Sequence, residues 1–390
     1  MKNKRILLTV IVLAQFCCTS LWFAGNGVIN ELIITFQLPE GSLGHLTAAV
    51  QLGFIMGTLL FALLTISDRF SPSLVFMGCA LLGAGFNVSI LWEEHTLWSL
   101  LFLRFMTGFF LAGIYPVGMK IAADYFDKGL GKSLGFLVGA LVLGTAFPHF
   151  LKTLTVGFSW EYVIWITTAL ATLGGTCLYL LVPDGPYRKR SQAVDLLAFF
   201  KVFTNPSFRS AAFGYFGHMW ELYAFWAFVP LLLSTYQEHH PVTAQWNIPL
   251  LSFSIIGIGG IACVIGGYIA SVIGTQRTAL IALISSGVCC LLSPFMLQVP
   301  SGSIFILYLF IWGMTVVADS PLFSTLVANN APTATKGTAL TIVNCIGFAI
   351  TIVSIQWLNY LKEEGMITYG FAFLAIGPLL GVVALRRGNV

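Results

Sequence analysis

Charge is scarce in this chain. Of 390 residues, 9% are Asp, Glu, Lys or Arg, against about 25% in a soluble domain. A water-exposed globular surface is therefore excluded. The phosphate-binding pattern Gly-x-x-x-x-Gly-Lys is missing, which argues against direct drive by ATP. No basic run points to nucleic acid. Eight cysteines are present, but none forms a Cys-x-x-Cys pair and none has a His at ligand spacing, so they read as small apolar side chains inside helices. No metal or other cofactor is called for. The first residues, Met1-Lys2-Asn3-Lys4-Arg5 before an apolar run, imitate a signal peptide, yet no small-x-small cleavage site follows. That segment reads as a retained first helix.

Apolar sequence is what remains. Hydrophobic residues make up 57% of the chain and the mean hydropathy is +0.89. A membrane-spanning helix needs about 20 apolar residues. Twelve runs qualify: 6–32, 43–66, 74–92, 97–123, 131–154, 161–182, 208–236, 247–272, 278–298, 303–328, 336–358 and 367–385. A barrel would show alternating segments of about 10 residues, and these runs are longer and apolar on all sides. The fold class expected is an all-α polytopic membrane protein. Placing the N-terminus in the cytoplasm puts fifteen of the 19 Lys and Arg residues on cytoplasmic segments and only Lys152 and Lys362 on outer loops. This asymmetry predicts cytoplasmic termini, an even number of spans and, for a bacterial chain, the inner membrane. The expected surroundings are membrane lipids.

One segment divides the chain. Pro183-Asp184-Gly185-Pro186-Tyr187-Arg188-Lys189-Arg190 opens a polar stretch that reaches Ser207 and contains an amphipathic piece, 193–203. The expected organisation is a six-helix bundle over 1–182, a cytoplasmic linker over 183–207 and a second six-helix bundle over 208–390. The halves look related. The fourth run contains Gly108 and Pro116, and the tenth contains Gly313 and Pro321, each pair eight residues apart. Weak internal repeats of this kind mark secondary transporters.

Twelve spans, a long central loop and short turns after spans two and eight resemble the major facilitator superfamily. That family's turn carries Gly, three residues, Asp-Arg, then Gly and basic residues. Here Asp68-Arg69 is kept, with Leu64 and Ser71-Pro72-Ser73 where the glycines and basic residues would stand. The second copy keeps Gly267, Gly274 and Arg277, with Ser271 in place of Asp. Arg104-Phe-Met-Thr-Gly108 is similar to the family's fourth-helix Arg-x-x-x-Gly motif. The resemblance implies two six-helix bundles rocking around a central site lined by helices 1, 4, 7 and 10. It also implies a gating role for Asp68, Arg69, Lys120, Asp124 and Arg277, and function as a monomer.

Ionisable residues inside a membrane are costly and mark candidate sites. The first run carries Gln15, Thr19, Trp22, Asn26 and Asn30 at steps of three and four, one face of a continuous helix. That face lines a cavity or bonds a neighbouring helix. Glu31, near the outer end, reads as solvated. Arg104 and Tyr115 lie three turns apart on the fourth run. Arg104 suits a bidentate grip on an anion, the support of a buried acid, or a structural bond to backbone carbonyls. Lys120 is expected to pair with Asp124. The seventh run carries His218, Trp220 and Glu221, and the tenth carries Asp319. Desolvation disfavours a carboxylate's charge, which makes Glu221 and Asp319 proton-coupling candidates. His218 is placed to share the Glu221 proton, and Asp319 alternatively to form a salt bridge with a neighbouring helix.

The reading that unites these observations is a secondary active transporter of a small organic solute, an organic anion or a polar or zwitterionic metabolite, coupled to protons. Trp22, Asn26, Asn30, Arg104, Tyr115, His218, Trp220 and Asp319 are its candidate solute-binding residues. Two other readings stay open: a proton-driven exporter of amphipathic compounds, and a membrane-embedded enzyme using His218 and Glu221, for which no nucleophile motif is present.

Overall fold

A computed structural model of the chain describes residues 4–39, 41–126, 130–155, 158–188, 203–241, 245–331 and 336–387. The described residues are predominantly helical, with no strand among them. The chain divides into two compact units, Met1–Asp195 and Leu196–Val390. The amphipathic stretch 193–203 falls almost wholly outside the described residues.

The first unit contains α1 (Lys4–Thr19), α2 (Ala24–Gly27), α3 (Ile29–Phe36), α4 (Ser42–Leu63), α5 (Ile66–Arg69), α6 (Pro72–Val88), α7 (Leu97–Leu111), α8 (Tyr115–Tyr125), α9 (Leu130–Leu154) and α10 (Glu161–Leu181). The second contains α11 (Pro206–His239), α12 (Ile248–Ile273), α13 (Thr275–Met296), α14 (Gly302–Ala318), α15 (Ser320–Asn330), α16 (Lys336–Glu363), α17 (Ile367–Phe373) and α18 (Ile376–Arg387). Local chemistry sets many of the boundaries. Proline occupies the first turn of α6, α8, α11, α12 and α15, where its missing N–H costs nothing. Thr96 and Ser99 form a reciprocal capping box at the start of α7. The Asn205 and Asn247 side chains cap α11 and α12.

Among the described residues ten helical stretches are long and apolar enough to cross a membrane. They coincide with ten of the twelve runs. The other two differ for identifiable reasons. The run 6–32 is not one helix: the chain leaves helical geometry at Ser20–Phe23 and again at Val28. The run 208–236 lies in α11, whose 34 residues amount to roughly 51 Å of helix. Its Arg209, His218, Glu221 and Glu238 lower its hydropathy.

The fourth and tenth runs break as well. Residues 112–114 separate α7 from α8, and Asp319 separates α14 from α15, each just before a proline. The paired glycines have matching tasks. A Cβ on Gly108 would lie 2.0 Å from the Val50 carbonyl oxygen of α4, and one on Gly313 would lie 2.1 Å from the Ile255 carbonyl oxygen of α12. Neither position has room for a side chain, so in each unit glycine lets two helices come into backbone contact. The Gly–Pro spacing seen in the sequence is thus a packing device repeated in both units.

The first linker residues are tied to the first unit. Ser73 donates to the Val182 carbonyl at 2.7 Å and Ser71 to Asp184 at 2.6 Å. Arg188 pairs with Asp184 and donates to the Phe70 carbonyl at 2.7 Å. The Tyr125 hydroxyl donates to the Pro183 carbonyl, and the Tyr187 N–H to the Asp124 carbonyl.

Candidate functional site

Two buried acids dominate the interior of the second unit. Glu221 stands on α11, and Asp319 meets a partner on that helix. His218 and Glu221 lie three residues apart on that helix, on adjoining faces, and each meets a different group. His218 Nδ1 lies 2.8 Å from Asp319 Oδ1, with both side chains 1% exposed. Asp319 stands where α14 gives way to α15, and its carbonyl accepts the Phe323 N–H at 2.8 Å. The Phe323 ring also packs against the imidazole, with centroids 5.8 Å apart. The other imidazole nitrogen, Nε2, has no hydrogen-bond partner. The expectation that His218 shares the Glu221 proton is corrected here: residues three apart diverge by about 60° on a helix, and His218 turns to the break in the tenth span.

Glu221 has two donors of its own. Trp312 Nε1 of α14 donates to Oε1 at 2.6 Å, and Ser286 Oγ of α13 donates to Oε2 at 2.8 Å. An indole N–H can only donate, so Oε1 is held as an acceptor. A hydroxyl can reverse its role. Ser286 Oγ also lies 3.2 Å from the Leu283 carbonyl. If Glu221 takes up a proton on Oε2, it can donate to Ser286 Oγ, whose own hydrogen turns to Leu283. The site satisfies both protonation states without moving a helix. Neither donor stood out in the sequence, although Trp312 lies two turns before Asp319 and Ser286 closes a Ser-Ser pair in an apolar run.

Among the described residues of the first unit, Arg104 is the Lys or Arg that is buried. Arg104 is 1% exposed. Its Nη1 donates to the Leu21 carbonyl at 3.2 Å and its Nη2 to the Trp22 carbonyl. These carbonyls lie in the break after α1. Among the alternatives raised by the sequence, the hydrogen bonds are those of the backbone-carbonyl one. The polar stripe of the first span is corrected too. Because the helix breaks at Ser20–Phe23, its five members do not share one helical face. Gln15, Thr19, Trp22 and Asn26 are buried and Asn30 is exposed. Asn26 Nδ2 donates to Thr47 Oγ1 at 2.7 Å, and the Trp22 ring packs on Phe54 with centroids 4.9 Å apart.

The remaining candidates fall in varied places. Tyr115 is half-buried and begins α8, beyond the break at 112–114, so it does not continue the Arg104 face. Trp220 is half-buried against Gly377, and its indole nitrogen has no hydrogen-bond partner. Asp124 is buried, Lys120 half-buried, and Arg69 and Arg277 are exposed. Arg69 Nε donates to Thr65 Oγ1 at 3.1 Å. The Asp68 side chain lies outside the described set. Glu31, expected in solvent, pairs with Lys152.

The sequence matches the family model described as Major Facilitator Superfamily over residues 11–355. No curated protein matches it. Several solved structures share the fold. The nucleoside transporter NupG, solved as a point mutant, is 15% identical with a TM-score of 0.73, covering 98% of this chain and 99% of its own. A bacterial homologue of the human lysosomal transporter Spinster, inward-facing and unoccupied, is 16% identical with a TM-score of 0.69, covering 99% and 98%. The human organic anion transporter MFSD10 (TETRAN) is 15% identical with a TM-score of 0.74, covering 99% and 100%. At such identities the likeness is one of fold.

Proposed function

The chain belongs to the Major Facilitator Superfamily, and we propose that it moves a small organic solute across a membrane by alternating access, driven by protons through Glu221. Its transporter fold stands with the family; the solute and the coupling are our reading. The arrangement of Glu221, Ser286 and Trp312 carries it. A carboxyl out of contact with water, held by one fixed donor and one reversible hydroxyl, can load and release a proton while its surroundings stay bonded. Asp319, paired with His218 at the break in the tenth span, is the second candidate for coupling. Solute contacts are proposed, within the first unit, for the residues around the breaks in the first and fourth spans.

On this proposal α1–α3 and α11 supply the first and seventh of twelve spans. The chain sits in the inner membrane of a bacterial cell with its basic loops in the cytoplasm, and the working unit is a monomer. The second class of reading, a membrane enzyme built on His218 and Glu221, loses its geometric basis because the two side chains go to separate partners.

Purified protein in liposomes tests the coupling. A solute that the wild type concentrates in response to an imposed pH difference is the substrate for the assay. Glu221→Gln, which imitates the protonated acid permanently, is expected to abolish that accumulation while retaining solute-for-solute exchange. Accumulation by Glu221→Gln at the wild-type level would remove Glu221 from the coupling path and pass the test to Asp319.

A further inference from the structure

The geometry points to Gln51 as a solute-binding residue, and to an uncharged solute with a hydrogen-bond donor and acceptor side by side, such as an amide or the edge of a heterocyclic base. This rests on the transporter reading above and sharpens it to a substrate class.

Gln51 lies in the middle of α4. That helix presents Val50 and Gly53 to α7, where Gly53 and Gly108 allow backbone contact. Leu52, Met56 and Leu60 form its exposed face. A different face meets the first span. Thr47 accepts from Asn26, and Phe54 packs on Trp22. Gln51 is four residues after Thr47 and three before Phe54, so it shares their face and stands between those two contacts. The level is that of Phe23–Gly25, directly after the break in the first span. Gln51 is 0% exposed, yet neither its Oε1 nor its Nε2 has a hydrogen-bond partner.

Leaving both ends of an amide unbonded away from water costs several kcal/mol in a purely apolar medium, and small residues or apolar ones would pack such a helix face without that cost. Within the same level stands a second unbonded donor. Arg104 Nε has no partner, and it lies 3.3 Å from where a Cβ on Gly25 would be. A side chain at residue 25 would crowd this nitrogen. Together the Gln51 amide and Arg104 Nε offer two donor nitrogens and one acceptor oxygen without hydrogen-bond partners.

The charge class follows from the Gln51 amide, with Arg104 beside it largely committed to backbone. Gripping a carboxylate takes two parallel N–H groups of the guanidinium fork. Here Nη1 and Nη2 are already committed to the Leu21 and Trp22 carbonyls. Of the guanidinium nitrogens only Nε has no partner. The Gln51 amide offers one acceptor and one donor side by side, the complement of a neutral amide edge and not of a carboxylate, which can only accept.

Matched probes separate the alternatives. Purified full-length protein is melted with nicotinamide and nicotinate, and with uracil and orotate, pairs that differ by a carboxylate. Binding of nicotinamide or uracil, but not of its anionic partner, is expected. Gln51→Leu is expected to weaken that binding at least ten-fold. It is also expected to leave the ligand-free melting temperature unchanged or higher, because an unbonded buried amide gives way to an apolar side chain. Binding confined to the anions, no binding by either neutral probe, neutral binding unaffected by Gln51→Leu, or a lower ligand-free melting temperature in Gln51→Leu would each overturn the proposal. If an anion binds and is concentrated by a pH difference, the proton-coupled reading stands and only the substrate class falls. If the protein accumulates no solute under any gradient, the transport reading itself fails.

Discussion

His218 Nδ1 and Asp319 Oδ1 stand 2.8 Å apart, joining the middle of α11 to the break between α14 and α15. The contact links two helices whose charges would each be costly alone in a membrane interior. It also gives the break a fixed partner, so any motion of α15 relative to α14 is felt at α11.

This pair is expected to behave as a coupled unit. Asp319→Ala leaves the buried imidazole without its polar neighbour and should cost about 1–3 kcal/mol of stability. Replacing both residues, as in His218→Leu with Asp319→Leu, should cost less than the two single changes summed. Thermal melts of the four proteins in detergent measure the coupling. Strict additivity would show that the contact contributes nothing.

Arg104→Lys keeps the charge but loses the planar fork. One ammonium cannot reproduce two divergent bonds to the Leu21 and Trp22 carbonyls. Loss of one charge-assisted bond is expected to lower stability by about 1.5–3 kcal/mol and to impair transport strongly, with folded protein still recovered. Comparison of melting temperature with uptake by the same preparation checks both parts. Full uptake with an unchanged melt would reduce Arg104 to a general positive charge.

Glycine substitutions should divide by position. Gly108→Ala and Gly313→Ala push a methyl group into a carbonyl oxygen of the adjacent helix and are expected to abolish folded expression or cut it severely. Gly78 and Gly85 have nothing within 4 Å of an added Cβ. Alanine at either is expected to be neutral or to stabilise by about 0.5–1 kcal/mol through helix propensity. Fluorescence-detected size exclusion of the four variants is the measurement, and equal yields would contradict the close helix contacts.

Topology is open to a direct check. Reporter fusions after Lys189 should report cytoplasm, and fusions after Glu94 and Glu238 the outside. An outside signal at Lys189 would overturn the arrangement of two bundles joined by a cytoplasmic linker.

Much of this protein is legible one residue at a time. Hydropathy is a local property, so the apolar runs are visible without any knowledge of their neighbours, and ten of them stand as apolar helices of spanning length. The shared spacing of Gly108–Pro116 and Gly313–Pro321 is local too, and each proline does mark a break. The residues of greatest chemical interest, Arg104, His218, Glu221 and Asp319, are conspicuous because charge is rare in such runs. Their partners are a different matter. Which donor meets Glu221 depends on which helices lie beside α11, and Ser286 and Trp312 are 65 and 91 residues away in the chain. Helical periodicity placed Trp22, Asn26 and Asn30 on one face by assuming an unbroken helix. The bend at Ser20–Phe23 has no proline to announce it, and two of its carbonyls are met by Arg104, 83 and 82 residues on. Sequence alone determined ten apolar segments of spanning length and the identity of the buried charges, because both follow from each residue's own transfer cost. Only the tertiary structure decided how those charges are paired, because pairing is set by helix neighbours that no local pattern encodes.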